Sequence, residues 1–196
     1  GKEITLEHKL SVDKPLIGNV ARFFPAKKGQ DTLVKAIYIL KDKYPAIHCS
    51  FAGGIYKGQE GAWTEVKKYV TDHDLNDSIT FLGNVNDIRS FIEGIDIFVL
   101  PSNYEGFGIS LIEAMSMGIP CVASNIDGPR EIIRDSSLGV LAEPGNAMDL
   151  AEKIDYVICN YDSFDRNKIS EYVFENYDIG QMVDKHIRLF ETISRL

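Results

Sequence analysis

Short apolar runs rich in β-branched residues alternate along the chain with longer segments whose apolar positions recur every three or four residues. The runs LIGNVA (16–21), IHCSFAG (47–53), SITFLG (78–83), DIFVLPS (96–102), PCVAS (120–124) and LGVLA (138–142) have the length and composition of buried strands. Between them, segment 31–43 places Leu33, Ile37 and Leu40 at spacings of four and three, which makes one apolar stripe on a helix. Segments 60–73, 86–94, 108–117, 128–135 and 147–160 read as helices of the same kind. Strand and helix alternating about five times predicts βαβ units, hence an α/β domain with a doubly wound, mostly parallel sheet. Residues 162–196 carry no strand signal and predict helix, with Val183, Ile187, Phe190 and Ile193 on one face. Neither a linker nor a repeat divides the 196 residues, so 1–196 is expected to be one domain around one core.

Sheets of this class bind ligands outside the carboxyl ends of their strands, so the loops after each strand are where chemistry is expected. The loop after the first strand, Arg22 to Asp31, is cationic and leads into a helix. Arg22 offers a bidentate fork and Lys28, just before Gly29, a point charge, so the two could clamp an anion. Ordinary solvated surface cations would look the same in sequence.

The loop after the fourth strand is the most informative. Glu105 stands in it, Gly106 and Gly108 permit close approach of the backbone to a ligand, and a helix begins at once. The first amides of that helix suit phosphate. Glu113 follows about two turns along, among Leu111, Ile112, Ala114 and Met115. Carboxylates suit sugar diols, because they accept from two vicinal hydroxyls. After the fifth strand, Gly128-Pro129-Arg130-Glu131 has the chemistry of a helix start.

Other patterns count against competing functions. A formal net charge of −8 argues against nucleic acid as the ligand. It also means that a phosphate ligand must be held by local cations and amides against the overall field. Asp72-His73-Asp74 has the D-x-D spacing of a metal site but ends an amphipathic helix, so a polar helix end is expected and no metal. His8, His48 and His186 stand apart from any readable triad. Gly53 to Gly58 is glycine-rich, yet it follows the second strand with the wrong spacing for a nicotinamide-binding fingerprint. Cys49, Cys121 and Cys159 are odd in number and lack C-x-x-C, which predicts reduced thiols of a cytosolic protein. The opening GKEITLEHKL is polar, unlike a secretory signal, and no apolar run approaches the roughly 18 residues that cross a bilayer.

Taken together, Arg22 with Lys28-Gly29, the stretch Glu105-Gly-Phe-Gly-Ile-Ser-Leu-Ile-Glu113 and the Gly128-Pro-Arg-Glu131 helix start resemble the C-terminal, donor-binding domain of family 4 retaining GT-B glycosyltransferases (glycosyl transferases group 1). The resemblance runs from about Leu16 to the chain end. It implies that Arg22, Lys28 and Glu105 are catalytic, with the two cations on the donor diphosphate and Glu105 on the donor sugar. It implies further that Phe107 and Gly108 contact the sugar, that the amides of Ile109 and Ser110 meet phosphate, that Glu113 binds ribose, and that Gly83, Asn84 and Val85 face the base. The implied substrate is a UDP-, GDP- or ADP-sugar, used without metal or other cofactor in polysaccharide, capsule or lipopolysaccharide synthesis. The family is two-domained, so a missing N-terminal acceptor-binding domain is the implied partner, with a helix at about 178–195 packing back toward it. The implied location is cytoplasmic, with room for peripheral association of the full-length parent at the inner membrane face. A non-catalytic sugar-nucleotide-binding module and a sugar-nucleotide 2-epimerase of the same fold are the alternatives.

Overall fold

A computed structural model describes Leu10 and residues 13–193; His8, the rest of the polar opening and the tail residues 194–196 lie outside the described residues. The strands are β1 (Leu16–Val20), β2 (His48–Ala52), β3 (Ile79–Gly83), β4 (Ile97–Leu100), β5 (Cys121–Ser124) and β6 (Val140–Ala142). They form one sheet in the order β3-β2-β1-β4-β5-β6, and every neighbouring pair is parallel. Each falls inside its apolar run, because residues such as Ile17, Phe98, Val99, Cys121 and Val122 are covered on both faces of the sheet.

The helices are α1 (Pro25–Lys28), α2 (Gln30–Lys41), α3 (Glu60–Asp72), α4 (Ile88–Glu93), α5 (Ile109–Ser116), α6 (Asp127–Ile132), α7 (Ala147–Cys159), α8 (Arg166–Tyr177) and α9 (Ile179–Ile193). The stripe Leu33, Ile37 and Leu40 of α2 is buried, and α2 packs against α7 while α5 packs against α8. Two segments differ from the sequence pattern. The cationic loop contains the single turn α1, started by Pro25 and closed by Gly29 in the left-handed conformation (φ 64°). The helix expected over 128–135 ends at Ile132. The tail helix forms as expected, and Val183, Ile187, Phe190 and Ile193 on its apolar stripe are exposed. Among the described residues no helix is long and apolar enough to cross a membrane.

The strand order fixes where a ligand fits. From β1 the chain steps outward through β2 to β3, then returns to place β4 on the other side of β1. The connections after β1 and β4 therefore diverge to opposite sides and leave a crevice between their loops. Those loops carry Arg22 with Lys28, and Glu105 with the start of α5.

Candidate functional site

A cleft of about 520 Å³ opens at this switch point, lined among others by Arg22, Lys28, Glu105, Phe107, Gly108, Ile109 and Ser110. All three residues expected to be catalytic and the four expected at the sugar and phosphate thus line the same cleft. Lys28 Nζ lies 2.7 Å from Glu105 Oε2, with the side chains 27% and 16% exposed. The Ser102 hydroxyl donates to the same carboxylate oxygen at 3.4 Å. Arg22 is exposed, and its side chain has no hydrogen-bonding or ion-pair partner among the described residues. Gly108, with φ 99°, caps α5, so the amides of Ile109 and Ser110 precede the first intrahelical bonds and are available to an anion.

The loops are locked to one another by the backbone. The Asn103 and Tyr104 amides donate to Lys27 O at 2.8 and 3.0 Å, joining the β4 loop to α1. A side chain on Gly29 would place its Cβ 1.9 Å from Pro101 O, so only glycine allows this approach. Gly128 supports the loop from behind, since a Cβ there would stand 2.9 Å from both Gly106 O and Phe107 O. The Gly128-Pro-Arg-Glu131 motif is thus a brace for the glycine loop. Tyr177, at the end of α8, meets the Phe107 ring edge-on at 5.8 Å, and its hydroxyl donates to Glu131 O at 3.2 Å. Burial pushes the Tyr177 phenol up to about 12, so it stays protonated as a donor.

Several expected residues stand outside the cleft lining. Glu113 is exposed because Leu111, Ala114 and Met115 take the buried face of α5 and turn it outward. It shares a face with Ile109, one turn further from the cleft. Gly83, Asn84 and Val85 do not line the cleft either; Asn84 lies against Gly54, in the loop that brings Tyr56 to the cleft wall. Asp72 pairs with Lys68 at 2.5 Å, and among the described residues no group of three or more His, Cys, Asp or Glu is arranged to hold a metal ion. Cys49 and Cys121 are buried thiols, pushed up by burial, whereas Cys159 is exposed.

Four lining or supporting residues were not anticipated. Phe24 and Tyr56 stack at 5.4 Å on one wall of the cleft, with Lys27 over the Phe24 ring at 5.3 Å. Gln30 is buried; its amide donates to Arg22 O at 2.9 Å and accepts from Phe24 N at 3.3 Å, which fixes the backbone that carries Arg22. A polar residue directly after the helix-starting glycine was the available signal for Gln30.

The sequence and the fold have counterparts among known proteins. The chain is 28% identical over 169 residues to the lipopolysaccharide core biosynthesis glycosyltransferase LpsE of Rhizobium meliloti, covering 86% of this chain and 46% of that protein. Its fold matches Anabaena HepE solved in complex with UDP, with a TM-score of 0.83 and 25% identity over 94% of this chain and 50% of that one. It also matches the C-terminal domain of a group 1 glycosyl transferase, LpcC, from Francisella tularensis, with a TM-score of 0.77 and 27% identity over 84% of this chain and 87% of that domain. The chain spans about half the length of LpsE and of HepE, 46% and 50% respectively. The family model for glycosyl transferases group 1 matches residues 2–176, and the chain belongs to that family.

Proposed function

We propose that this chain is the donor-binding domain of a retaining glycosyltransferase, and that its cleft holds a nucleoside diphosphate sugar. The observation that carries the reading is the convergence of Arg22, Lys28, Glu105 and the α5 amides on one cleft at the switch point. In glycosyl transfer an acceptor hydroxyl oxygen bonds to the anomeric carbon as the bond from that carbon to the diphosphate oxygen breaks; the electron pair of the broken bond leaves with the diphosphate, which takes up the hydroxyl proton. Arg22, Lys28 and the amides of Ile109 and Ser110 stabilise that growing charge with fixed dipoles and cations, so no metal is required for it. Glu105 accepts from hydroxyls of the donor sugar. Glu113 takes the ribose and the 83–85 loop the base, both outside the residues that line the cleft. The acceptor binds a second domain that faces this cleft, and the stripe on α9 packs toward that domain. HepE, whose fold this chain matches, was solved in complex with UDP, which supports a nucleotide as the ligand.

A thermal-shift panel of UDP, GDP, ADP and their sugars against this chain tests the reading. A ligand at a hundredfold excess over its Kd adds about 2.7 kcal/mol, which for a domain of this size raises Tm by roughly 5–10 °C. One nucleotide series should do so, and Arg22→Ala should abolish the shift. If no nucleotide shifts the Tm, or the variant responds like the native chain, the cleft is not a diphosphate site.

A further inference from the structure

Arg22 and Lys28 are both cations of the cleft, yet only Lys28 is already engaged. Its ammonium is bound to Glu105 at 2.7 Å in a partly buried ion pair. The pair sits on a backbone that cannot open cheaply, because Lys27 O accepts both the Asn103 and the Tyr104 amides and Gly29 abuts Pro101. Any anion reaching Lys28 must therefore deal with the Glu105 side chain in place.

We propose that Glu105 is a built-in competitor for the diphosphate, so that the cleft discriminates between the intact sugar nucleotide and the spent nucleotide. The inference rests on the cleft being a diphosphate site, as argued above. A diphosphate oxygen at Lys28 Nζ either displaces the carboxylate or shares the ammonium with it. Displacement breaks an ion pair; sharing sets two anions side by side. A bare nucleoside diphosphate bears that cost with nothing in return. An intact donor carries sugar hydroxyls next to the diphosphate, and these donate to the carboxylate in place of the lysine. Once the sugar has been transferred that compensation is gone, and Glu105 drives the leaving diphosphate out of the cleft. Glu105 is in this sense a specificity and release device as well as a sugar ligand.

The test is calorimetric titration of the 196-residue chain with UDP, UDP-glucose and, as a probe independent of the base, inorganic pyrophosphate. Glu105→Gln, near-isosteric and uncharged, should tighten UDP and pyrophosphate roughly two- to fivefold, the scale of one partly exposed charge pair. It should not tighten UDP-glucose, so the preference for the intact donor shrinks. Glu105→Ala should also tighten pyrophosphate, which guards against an effect peculiar to the glutamine. In the Lys28→Ala background the gain from Glu105→Gln should vanish. Unchanged or weaker UDP and pyrophosphate binding by both Glu105 variants, with Arg22→Ala still weakening it, would overturn the competition while sparing the site. If Arg22→Ala and the native chain bind pyrophosphate alike, the site assignment fails and the competition with it. Thermal melts of each variant establish that it is folded before titration.

Discussion

Gly29→Ala is the substitution most sharply predicted by the structure, because it strikes the joint between the two site loops. At φ 64° an alanine incurs about 1–2 kcal/mol for the left-handed backbone. Its Cβ would also stand 1.9 Å from Pro101 O and 2.8 Å from Pro101 C. Both are backbone atoms, so no rotamer change relieves the overlap, and the β4 loop must move by about an ångström or more. That movement strains the bonds from the Asn103 and Tyr104 amides to Lys27 O, worth about 1 kcal/mol each. The sum, roughly 3–4 kcal/mol, is large against a typical domain stability of about 5–15 kcal/mol but need not abolish folding. Gly58 supplies the control, with a similar left-handed φ of 81° and nothing within 4 Å of the point a Cβ would occupy. Alanine there should cost only the backbone strain. Urea denaturation should give Gly29→Ala at least about 1.5 kcal/mol less stability than Gly58→Ala, and only Gly29→Ala should lose nucleotide affinity by more than roughly tenfold. Equal stability of the two variants with intact binding by Gly29→Ala would refute the loop-joint argument.

Other expectations follow from single contacts. Arg22→Ala should weaken nucleoside diphosphate and sugar nucleotide alike by about 1.5–3 kcal/mol, and Arg22→Lys should recover only part of that because the fork is lost; calorimetry on both ligands checks it. Nucleotide affinity should be the same with and without EDTA, since fixed cations serve the diphosphate; a large loss on chelation would return Asp72 and Asp74 to consideration. Burial raises the Asp155 carboxyl, but the bonds from Lys43 and the Tyr44 hydroxyl outweigh it, so the group sits below its ordinary 3.8. Its stabilising effect is present above that unfolded value and is lost as pH falls through the lower folded one. Asp155→Asn should therefore lower Tm at pH 7, with the gap narrowing below about pH 4 in melts across pH.

The sheet was legible because parallel strands buried on both faces leave continuous apolar runs, and each run located its strand to within one or two residues. The loops around Arg22 and Glu105 were legible through glycine and charge at the ends of those runs. The turn α1 was not, because four residues are too short to show a period; only Pro25 and Gly29 marked it. The Lys28–Glu105 pair spans 77 positions and follows from the strand order, so no local pattern could announce it. The same holds for Tyr56, which reaches the cleft only because the Phe23 and Ile55 backbones bridge the β1 and β2 loops. Glu113 is the opposite case. Its outward direction was written in the buried positions Leu111, Ala114 and Met115, whose spacing leaves it on the solvent-facing side of α5.

An acidic domain that binds an anion needs a local field opposed to its net charge of −8, and the cleft has one. Arg22, Lys27 and Lys28 supply three positive charges along its lining and Glu105 returns one negative, which leaves +2 from side chains. The start of α5 adds roughly half a positive charge more, delivered through the amides of Ile109 and Ser110. That positive balance is comparable in size to the negative charge of a nucleoside diphosphate, so the competition proposed above is one of degree: a bare diphosphate should bind, but less favourably than a donor whose hydroxyls satisfy Glu105 in place of Lys28. Remove the sugar, and the carboxylate competes for the cation again. Short range matters as much as sign here. With a screening length of about 8 Å the distant acidic surface is largely muted, whereas groups in contact with the ligand are not. The bulk charge thus sets how anions approach the protein, and the immediate surroundings of Lys28 decide which of them stay.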